Sequence, residues 1–362
     1  MNRIGVFKNG FMKSRGRILV VTSDVPFVEG GHLVIARSTV WALRQAGYEA
    51  ELLLTPQNRF GRQFQAYLAN WLTDVGQDGL GRDIQQVISF RFPSYAVRHP
   101  RHVCWLNHRL REYYDLWEML AAQLSRRGLI KEKVRRFLIH RLDSYLLKNK
   151  ITKLYAQSRT IQSRLQQWGK IPSEVLYPPP PPRDYRLENY DNYIFSVSRL
   201  HPLKRLHLLV EAFRYVNNPE IKAVIVGQGP EAKRLQEMIN EFDLTQRIQL
   251  IPRGDEKTIL NHYARCRAVF FAPFQEDYGF VTGEAFACSK PVITTTDSGG
   301  PSELVEDGQS GYILPPEPKL IAEKIDLLAH QPGLAERLGQ NAQSFISSLS
   351  WQETVEKLTL IP

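Results

Sequence analysis

Residues 276 to 284 read Glu276-Asp-Tyr-Gly-Phe-Val-Thr-Gly-Glu284 and place two carboxylates eight positions apart around a glycine. The apolar run Ala268-Val-Phe-Phe-Ala-Pro273 before them predicts a buried strand, and Glu284-Ala-Phe-Ala-Cys288 predicts a helix. A strand, a tight turn at Gly279 and a helix start at Val281 would direct unpaired backbone N–H groups to one point, which suits a phosphate. The carboxylates can accept hydrogen bonds from hydroxyl groups. The segment therefore predicts an α/β unit for a phosphate ligand with hydroxyls at both ends, such as a nucleotide sugar, although an acidic loop before an ordinary helix has the same spacing.

A second segment carries positive charge in a comparable position. Tyr193-Ile-Phe-Ser-Val-Ser198 predicts a strand and leads into Arg199-Leu-His-Pro-Leu-Lys204, after which apolar residues keep helical spacing. A forked guanidinium and an ammonium group in one strand-to-helix loop can hold a pyrophosphate. Two such cations alone more often lie in a solvated loop than in a ligand site. Whether they bind a ligand here therefore depends on the acidic segment that accompanies them.

Taken together, the two segments resemble the retaining glycosyltransferases of family 4, which have the GT-B fold. Asp297-Ser-Gly-Gly-Pro-Ser-Glu303 and Asp307-Gly-Gln-Ser-Gly311 resemble the loops that follow the second glutamate in that family. In the first half, Glu29-Gly30-Gly31 resembles the amino-terminal glycine loop, and Trp105-Leu-Asn-His108 resembles the segment whose histidine faces the donor sugar. The resemblance is specific in the second half of the chain and looser in the first.

The resemblance implies two doubly wound, Rossmann-like α/β domains that face each other across a cleft. The proline run Pro178 to Pro182 predicts a stiff connector between them. We expect residues 1–182 to bind the acceptor and residues 183–346 to bind the nucleotide-sugar donor, with a helix at about 347–362 that crosses back onto the first domain.

The resemblance also implies an activity, the transfer of a hexosyl group with retention from a nucleotide sugar to a hydroxyl acceptor, which could be a glycan or a lipid-linked glycan. The expected nucleotide is UDP or GDP. By resemblance, Glu284 holds the ribose and Glu276 the transferred sugar, while Arg199 and Lys204 bind the phosphates. His108 faces the sugar from the first domain, unless it is a packed or solvent-facing histidine. The residues expected to be catalytic are His108, Arg199, Lys204 and Glu276, and those expected at the nucleotide and its phosphates are Gly30, Gly31, Phe280, Val281, Thr282 and Glu284.

Three positions depart from the family pattern. Pro252 and Arg205 stand where glycines are common, and Gly283 stands where a larger apolar residue is usual. A proline removes a backbone hydrogen-bond donor near the expected nucleobase pocket. The sequence therefore leaves open which nucleobase is bound. We interpret Gly283 as making room for the ligand.

Composition agrees with a two-domain enzyme. The chain has 362 residues, 43% of them hydrophobic and 23% charged. It has no apolar stretch near the ~20 residues that span a bilayer and no secretory leader pattern, so we expect a cytoplasmic protein. Its three cysteines are scattered and suggest neither disulfides nor a zinc site. No Asp-x-Asp pair stands in a suitable loop, and the cations already supply positive charge, so we expect no metal and no other cofactor.

Charge is concentrated in the first half. Residues 1–184 contain 29 Lys and Arg against 14 Asp and Glu, or +15, whereas residues 185–362 contain 18 against 23, or −5. The densest part is Arg126 to Arg141, a basic amphipathic helix with Leu129, Val134, Phe137 and Leu138 on one face. One interpretation is that this helix lies on an anionic membrane or an acidic partner. The favoured interpretation is that its apolar face packs against the core and its basic face is solvated, because most amphipathic helices pack in this way.

The uneven charge also leaves the choice of partners open. It suggests an anionic or membrane-associated acceptor, with peripheral contact to the inner face of the membrane as one reading. A rival function is a nucleic-acid or anionic-polymer binding protein, supported by a sequence pI near 9.4. The aromatic residues of the basic half have helical spacing rather than that of a stacking platform, so we expect no nucleic-acid partner. A third alternative is an inactive sugar-nucleotide binding scaffold.

Overall fold

The computed structural model of the protein describes residues 14–25 and 30–361. Glu29 of the expected glycine loop lies outside these residues. The strands are β1 (Arg17–Asp24), β2 (Glu49–Pro56), β3 (Gln86–Arg91), β4 (His102–His108), β5 (Lys153–Ala156), β6 (Glu174–Val175), β7 (Tyr193–Val197), β8 (Lys222–Val226), β9 (Ile248–Ile251), β10 (Ala268–Phe270), β11 (Val292–Thr295) and β12 (Gly311–Leu314). The helices are α1 (Gly31–Gln45), α2 (Gln63–Leu72), α3 (Trp117–Ala121), α4 (Arg126–Asn149), α5 (Arg159–Gln167), α6 (His207–Ala212), α7 (Ala232–Glu241), α8 (Glu256–Arg265), α9 (Phe280–Ala287), α10 (Gly300–Leu304), α11 (Pro318–His330), α12 (Pro332–Ser347) and α13 (Trp351–Leu358).

The strands form two six-stranded parallel sheets. Their orders are β2-β1-β3-β4-β5-β6 and β12-β11-β10-β7-β8-β9. Strand order reverses between β1 and β3 in the first sheet and between β7 and β10 in the second. Open parallel sheets bind ligands outside the carboxyl ends of the strands at such reversals. The topology confirms the predicted fold class of two Rossmann-like sheets.

The second sheet is covered on both faces because its strands alternate between two apolar clusters. On β7, Ile194 points into one cluster and Phe195 into the other, and on β10 Phe270 and Val269 do the same. Burial on both faces explains why these strands read as continuous apolar runs in the sequence.

By its contacts, the chain divides into two compact units. The first contains Met1–Tyr155 together with Trp351–Pro362, and the second contains Ala156–Ser350. The division therefore falls before the proline run, whereas the sequence placed it at residue 182. Within the second unit, Ser158 donates a hydrogen bond to the carbonyl of Asp277, and Arg164 donates one to the carbonyl of Gln275.

The end of the chain is fixed to the first unit by buried hydrogen bonds. The side chain of Gln86, the first residue of β3, donates to the carbonyl of Leu358 at 2.6 Å and accepts from the N–H of Leu360 at 2.7 Å. The rings of Trp105 and Trp351 meet edge to face with centroids 6.2 Å apart.

The orientation of α4 contradicts the interpretation favoured from sequence. Val134, Phe137 and Leu138 are exposed, whereas the two carboxylates of the helix, Glu132 and Asp143, are buried. The apolar stripe therefore faces outward, because buried tyrosine hydroxyls hold the carboxylates inside. No helix in the described part of the chain has the length and apolar character to cross a membrane.

Candidate active site

The cation Lys204 ends a short 3₁₀ turn, Pro202–Lys204, in the loop after β7. The Nδ1 atom of His201 accepts a hydrogen bond from the N–H of Leu203, which caps the start of this turn. The N–H of Phe274 donates to the carbonyl of Leu203 at 2.7 Å. Lys204 is thereby held next to the loop that follows β10, at the strand-order reversal.

The carboxylate Glu276 lies on that neighbouring loop, and its backbone is fixed by the loop that follows β11. Its N–H donates to the carbonyl of Ser298 at 2.8 Å, and its carbonyl accepts from the N–H of Gly300 at 2.9 Å. The Asp297 to Glu303 segment, which the sequence singled out by resemblance, thus supports Glu276 directly.

These two predicted site residues contact each other. The Nζ atom of Lys204 donates to a carboxylate oxygen of Glu276 at 2.7 Å, and both side chains are half-buried. The ammonium group also lies 5.5 Å from the centroid of the Phe271 ring. Each charge is therefore paired before any ligand arrives, which lowers the desolvation cost of holding both in a half-buried site.

Helix α9 begins at Phe280, directly after the turn that the sequence predicted at Gly279. Gly279 has a φ of +83°, and a Cβ there would lie 2.8 Å from both Phe271 and Pro301. The N–H of Thr282 donates to the carbonyl of Gly279, whereas those of Phe280 and Val281 bond to no residue within 14–25 and 30–361. Two backbone donors at the positive end of the helix are thus available to an anion.

The second carboxylate, Glu284, is buried within α9. It accepts hydrogen bonds from Arg183 at 2.5 Å and from the hydroxyl of Tyr263 at 3.1 Å. Burial raises the pKa of Glu284, and the charge of Arg183 and the Tyr263 hydroxyl offset part of that rise. Sequence reasoning missed Arg183, which also pairs with Glu256. Its position just after the proline run was the only signal.

Arg205, which the sequence marked only as a departure from glycine, connects three loops. Its backbone is left-handed, with a φ of +49°. Its guanidinium donates twice to the carboxylate of Asp297, to the hydroxyl of Thr295 and to the carbonyls of Ala272 and Pro273. The side chain therefore ties the end of the Lys204 loop to the segments that follow β10 and β11.

Two glycines after β8 support the loop that carries Arg199. A Cβ at Gly227 would lie 1.9 Å from the carbonyl oxygen of Ser198, and one at Gly229 would lie 2.3 Å from that of Leu200. A Gly-x-Gly sequence after a strand is usually an ordinary turn. Its actual role is to allow close approach of backbone on both sides of Arg199.

The remaining predicted site residues are Arg199, His108, Gly30 and Gly31. Arg199 is exposed, and its guanidinium forms no ion pair in the described ranges. His108 ends β4 in the first unit, where its Nδ1 atom lies 2.7 Å from the carbonyl of Arg109. Gly30 and Gly31 form the start of α1, also in the first unit. Gly30 has a φ of −166°, an extended backbone that any residue adopts, so positive φ does not explain this glycine.

Gly283, which was interpreted from sequence as making room for the ligand, lies next to helix α12 in the structure. A Cβ at this position would point toward Ile346 of α12, with its Cδ1 atom 3.5 Å away. The next nearest atom would be the Tyr278 hydroxyl at 4.0 Å. Gly283 therefore faces the packing between α9 and α12.

Residues 182–345 match the family model of glycosyl transferases group 1. The chain is 26% identical over 231 residues to an uncharacterized glycosyltransferase of Methanocaldococcus jannaschii, covering 60% of this chain and 64% of the relative. The match thus spans less than two thirds of that relative's own length.

Among solved structures, sucrose-phosphate synthase from Thermosynechococcus elongatus superposes with a TM-score of 0.71 at 17% identity, over 94% of this chain and 97% of that one. The Anabaena protein HepE, solved in complex with UDP and glucose, superposes with a TM-score of 0.66 at 20% identity, over 94% and 97%. At these identities the likeness shows the fold alone. The solved structures agree with the two Rossmann-like sheets seen here, and the family match falls within the second unit.

Proposed function

We propose that this protein is a retaining glycosyltransferase that moves a hexosyl group from a nucleotide sugar to a hydroxyl acceptor. The Lys204–Glu276 pair carries the proposal. It lies at the strand-order reversal of the second sheet, inside the region that matches glycosyl transferases group 1. An ammonium group for phosphate and a carboxylate for sugar hydroxyls are thus held 2.7 Å apart, which suits the junction between the two parts of a nucleotide sugar.

In the proposed reaction, negative charge develops on the diphosphate as the bond between sugar and phosphate breaks. Lys204 and Arg199 stabilise that charge, together with the backbone N–H groups of Phe280 and Val281. Lys204 and the two backbone N–H groups are held in place before the reaction, so little reorganisation of these donors is needed. With this much positive charge from the protein, we propose that transfer requires no metal ion.

The other predicted residues complete the binding of the donor. Glu284 accepts hydrogen bonds from the ribose hydroxyls. The charge of Arg183 offsets part of the rise in the pKa of this carboxylate that burial causes. In the first unit, Gly30 and Gly31 offer backbone donors at the start of α1, and His108 contributes a hydrogen bond to the sugar. The acceptor is a hydroxyl group of an anionic or lipid-linked glycan, bound by the first unit.

The donor is tested by incubating the purified chain with UDP and GDP sugars and measuring the release of nucleoside diphosphate. UDP-glucose is the first choice because the Anabaena protein of the same fold was solved with UDP and glucose. We expect Lys204→Ala to lower turnover roughly 100-fold, as loss of one preorganised charge donor typically does. Lys222→Ala, which removes an exposed cation at the start of β8, is the matched control and is expected to leave turnover unchanged.

Binding is measured separately by thermal shift with UDP and GDP. A ligand at ~100 times its dissociation constant stabilises the native state by about 2.7 kcal/mol. That stabilisation should weaken in Glu284→Gln. The proposal fails if no nucleotide stabilises the wild type, and the metal-free mechanism fails if EDTA abolishes turnover.

A further inference from the structure

The outer face of α4 exposes an apolar stripe. Counted from Val134, its other members lie three, four or eleven residues away, so all of them fall on one side of the helix. They are Ile130 (66% exposed), Val134 (57%), Phe137 (57%), Leu138 (45%) and Tyr145 (48%). A solvent-exposed apolar stripe of this length usually marks an interaction site.

The same face carries only positive charge. Six of its cations are exposed, and none forms an ion pair with a residue that the structure describes. They are Arg126, Arg127, Lys131, Lys133, Arg141 and Lys148. Both carboxylates of the helix are turned inward. The outer face therefore combines apolar side chains and cations without any carboxylate from its own helix.

Buried hydrogen bonds fix this orientation. The carboxylate of Asp143 accepts from the hydroxyls of Tyr67, Tyr95 and Tyr114. The carboxylate of Glu132 accepts from the hydroxyl of Tyr113 at 2.7 Å. Rotating α4 to bury its apolar stripe would break these bonds and leave polar groups buried without partners, which costs roughly 1–3 kcal/mol for each group. The exposed stripe is thus a stable feature of the fold.

We propose that the outer face of α4 docks onto an anionic lipid bilayer. Lysine and arginine side chains are long enough to reach lipid phosphates while the apolar side chains between them enter the acyl boundary. Charge complementarity favours an anionic surface, since each cation near such a membrane adds to the attraction. The 24 residues of α4 extend over about 36 Å, which suits a helix lying in the membrane plane.

Helix α2 adds a second apolar surface in the same unit. Phe64, Leu68 and Leu72 are exposed at four-residue spacing, and the helix itself contains no charged residue. The hydroxyl of Tyr67 joins α2 to Asp143 of α4. The face proposed for docking is α4, where the cations are, and α2 is a further exposed apolar surface of the first unit.

Co-sedimentation with vesicles tests the docking surface. We expect the protein to sediment with vesicles of equal parts phosphatidylcholine and phosphatidylglycerol, to bind pure phosphatidylcholine far more weakly, and to be released by salt. Replacing three cations of α4 should weaken binding on the order of 100-fold. The test variant is Lys131→Gln with Lys133→Gln and Arg141→Gln, and the matched control removes the same charge from the second unit through Lys222→Gln, Lys233→Gln and Lys257→Gln.

A second variant tests the apolar contribution. Val134→Gln with Phe137→Gln keeps the charge of the helix and changes only exposed side chains, so folding should be preserved, and binding should weaken at least tenfold. The proposal is overturned if the control variant loses as much binding as the α4 variant, since binding would then follow net charge alone. It is also overturned if the wild-type protein sediments with no vesicle. A third outcome that overturns it is a wild-type dimer that dissociates in the Val134→Gln, Phe137→Gln variant while vesicle binding stays the same. None of these measurements uses sugar transfer, so their failure leaves the proposed activity untouched.

Discussion

Arg205 adopts a left-handed backbone conformation, which strains any residue except glycine. The hydrogen bonds of its side chain more than offset the free-energy cost of that strain. Arg205→Gly keeps the backbone but removes five hydrogen bonds and leaves Asp297 without its cation. We expect it to lower the free energy of unfolding by about 2–3 kcal/mol. Arg205→Ala should be less stable by about 1 kcal/mol more, since alanine meets the strain of the left-handed conformation.

Urea unfolding followed by circular dichroism measures both changes. Asp297→Asn is the companion variant: its effect should largely disappear in the Arg205→Gly background, because the two residues form one interaction. An Arg205→Gly protein as stable as the wild type would show that the side chain contributes nothing to holding the loops.

The pairing of Arg205 and Asp297 also predicts a pH dependence. Burial raises the pKa of Asp297, but hydrogen bonds from Arg205 and Thr295 outweigh it, so the net pKa lies below the ordinary value of 3.8. The folded state therefore binds this proton more weakly than the unfolded state. The resulting stabilisation is present above pH 3.8 and is lost as the pH falls through the lower folded-state pKa.

The stability difference between wild type and Arg205→Gly should accordingly shrink in acid. Unfolding curves recorded from neutral pH to below pH 3.8 measure it. A difference that stays constant over this range would mean that the charge of Asp297 is not what Arg205 stabilises.

Single site residues were predictable where their chemistry is local. Lys204 and Glu276 each follow a recognisable strand, and cation or carboxylate chemistry at such a position already points to a ligand. Arg183 and Arg205 were not predictable as supports, because their partners lie about a hundred positions along the chain. Only folding reveals which carboxylate a given arginine reaches.

At the scale of elements, Gly283 tests the packing of α9 on α12. Alanine is favoured over glycine within a helix by up to about 1 kcal/mol, and the added methyl group would meet Ile346 at an ordinary contact distance of 3.5 Å. We expect Gly283→Ala to raise the melting temperature and to leave nucleotide binding unchanged. Gly279→Ala in the same turn is the contrasting variant, and it should destabilise because its Cβ would lie 2.8 Å from Phe271. Reduced nucleotide affinity in Gly283→Ala would instead support the interpretation of this glycine as room for the ligand.

Periodicity predicted the elements better than their orientation. Alternating strand and helix patterns were enough to predict two doubly wound sheets, because a parallel strand buried on both faces has few other arrangements. For α4, the pattern placed Val134, Phe137 and Leu138 on one face but did not give the direction of that face. The direction depends on the hydroxyl groups of Tyr67, Tyr95 and Tyr114, which are distant in sequence and donate hydrogen bonds to the buried carboxylate of Asp143.

At the scale of the whole molecule, Gln86 joins the end of the chain to the first sheet. Both of its side-chain hydrogen bonds go to the backbone of the final segment, at Leu358 and Leu360, and the side chain is fully buried. Gln86→Leu keeps a similar volume but leaves a carbonyl and an N–H group unpaired, which should cost roughly 1–3 kcal/mol for each group that stays buried. We expect faster hydrogen exchange in α13 and along β3, and little change in the sheet formed by β7 to β12.

Hydrogen exchange measured by mass spectrometry resolves these regions. Gln249→Leu is the matched control, since it makes the same substitution on β9 of the second unit, where the side chain is exposed. The control should leave exchange in the first unit unchanged. If Gln86→Leu accelerates exchange equally in both units, the final segment does not stabilise the first unit in particular. If exchange in α13 does not change at all, packing such as that of Trp105 on Trp351 is sufficient to hold the segment without the hydrogen bonds of Gln86.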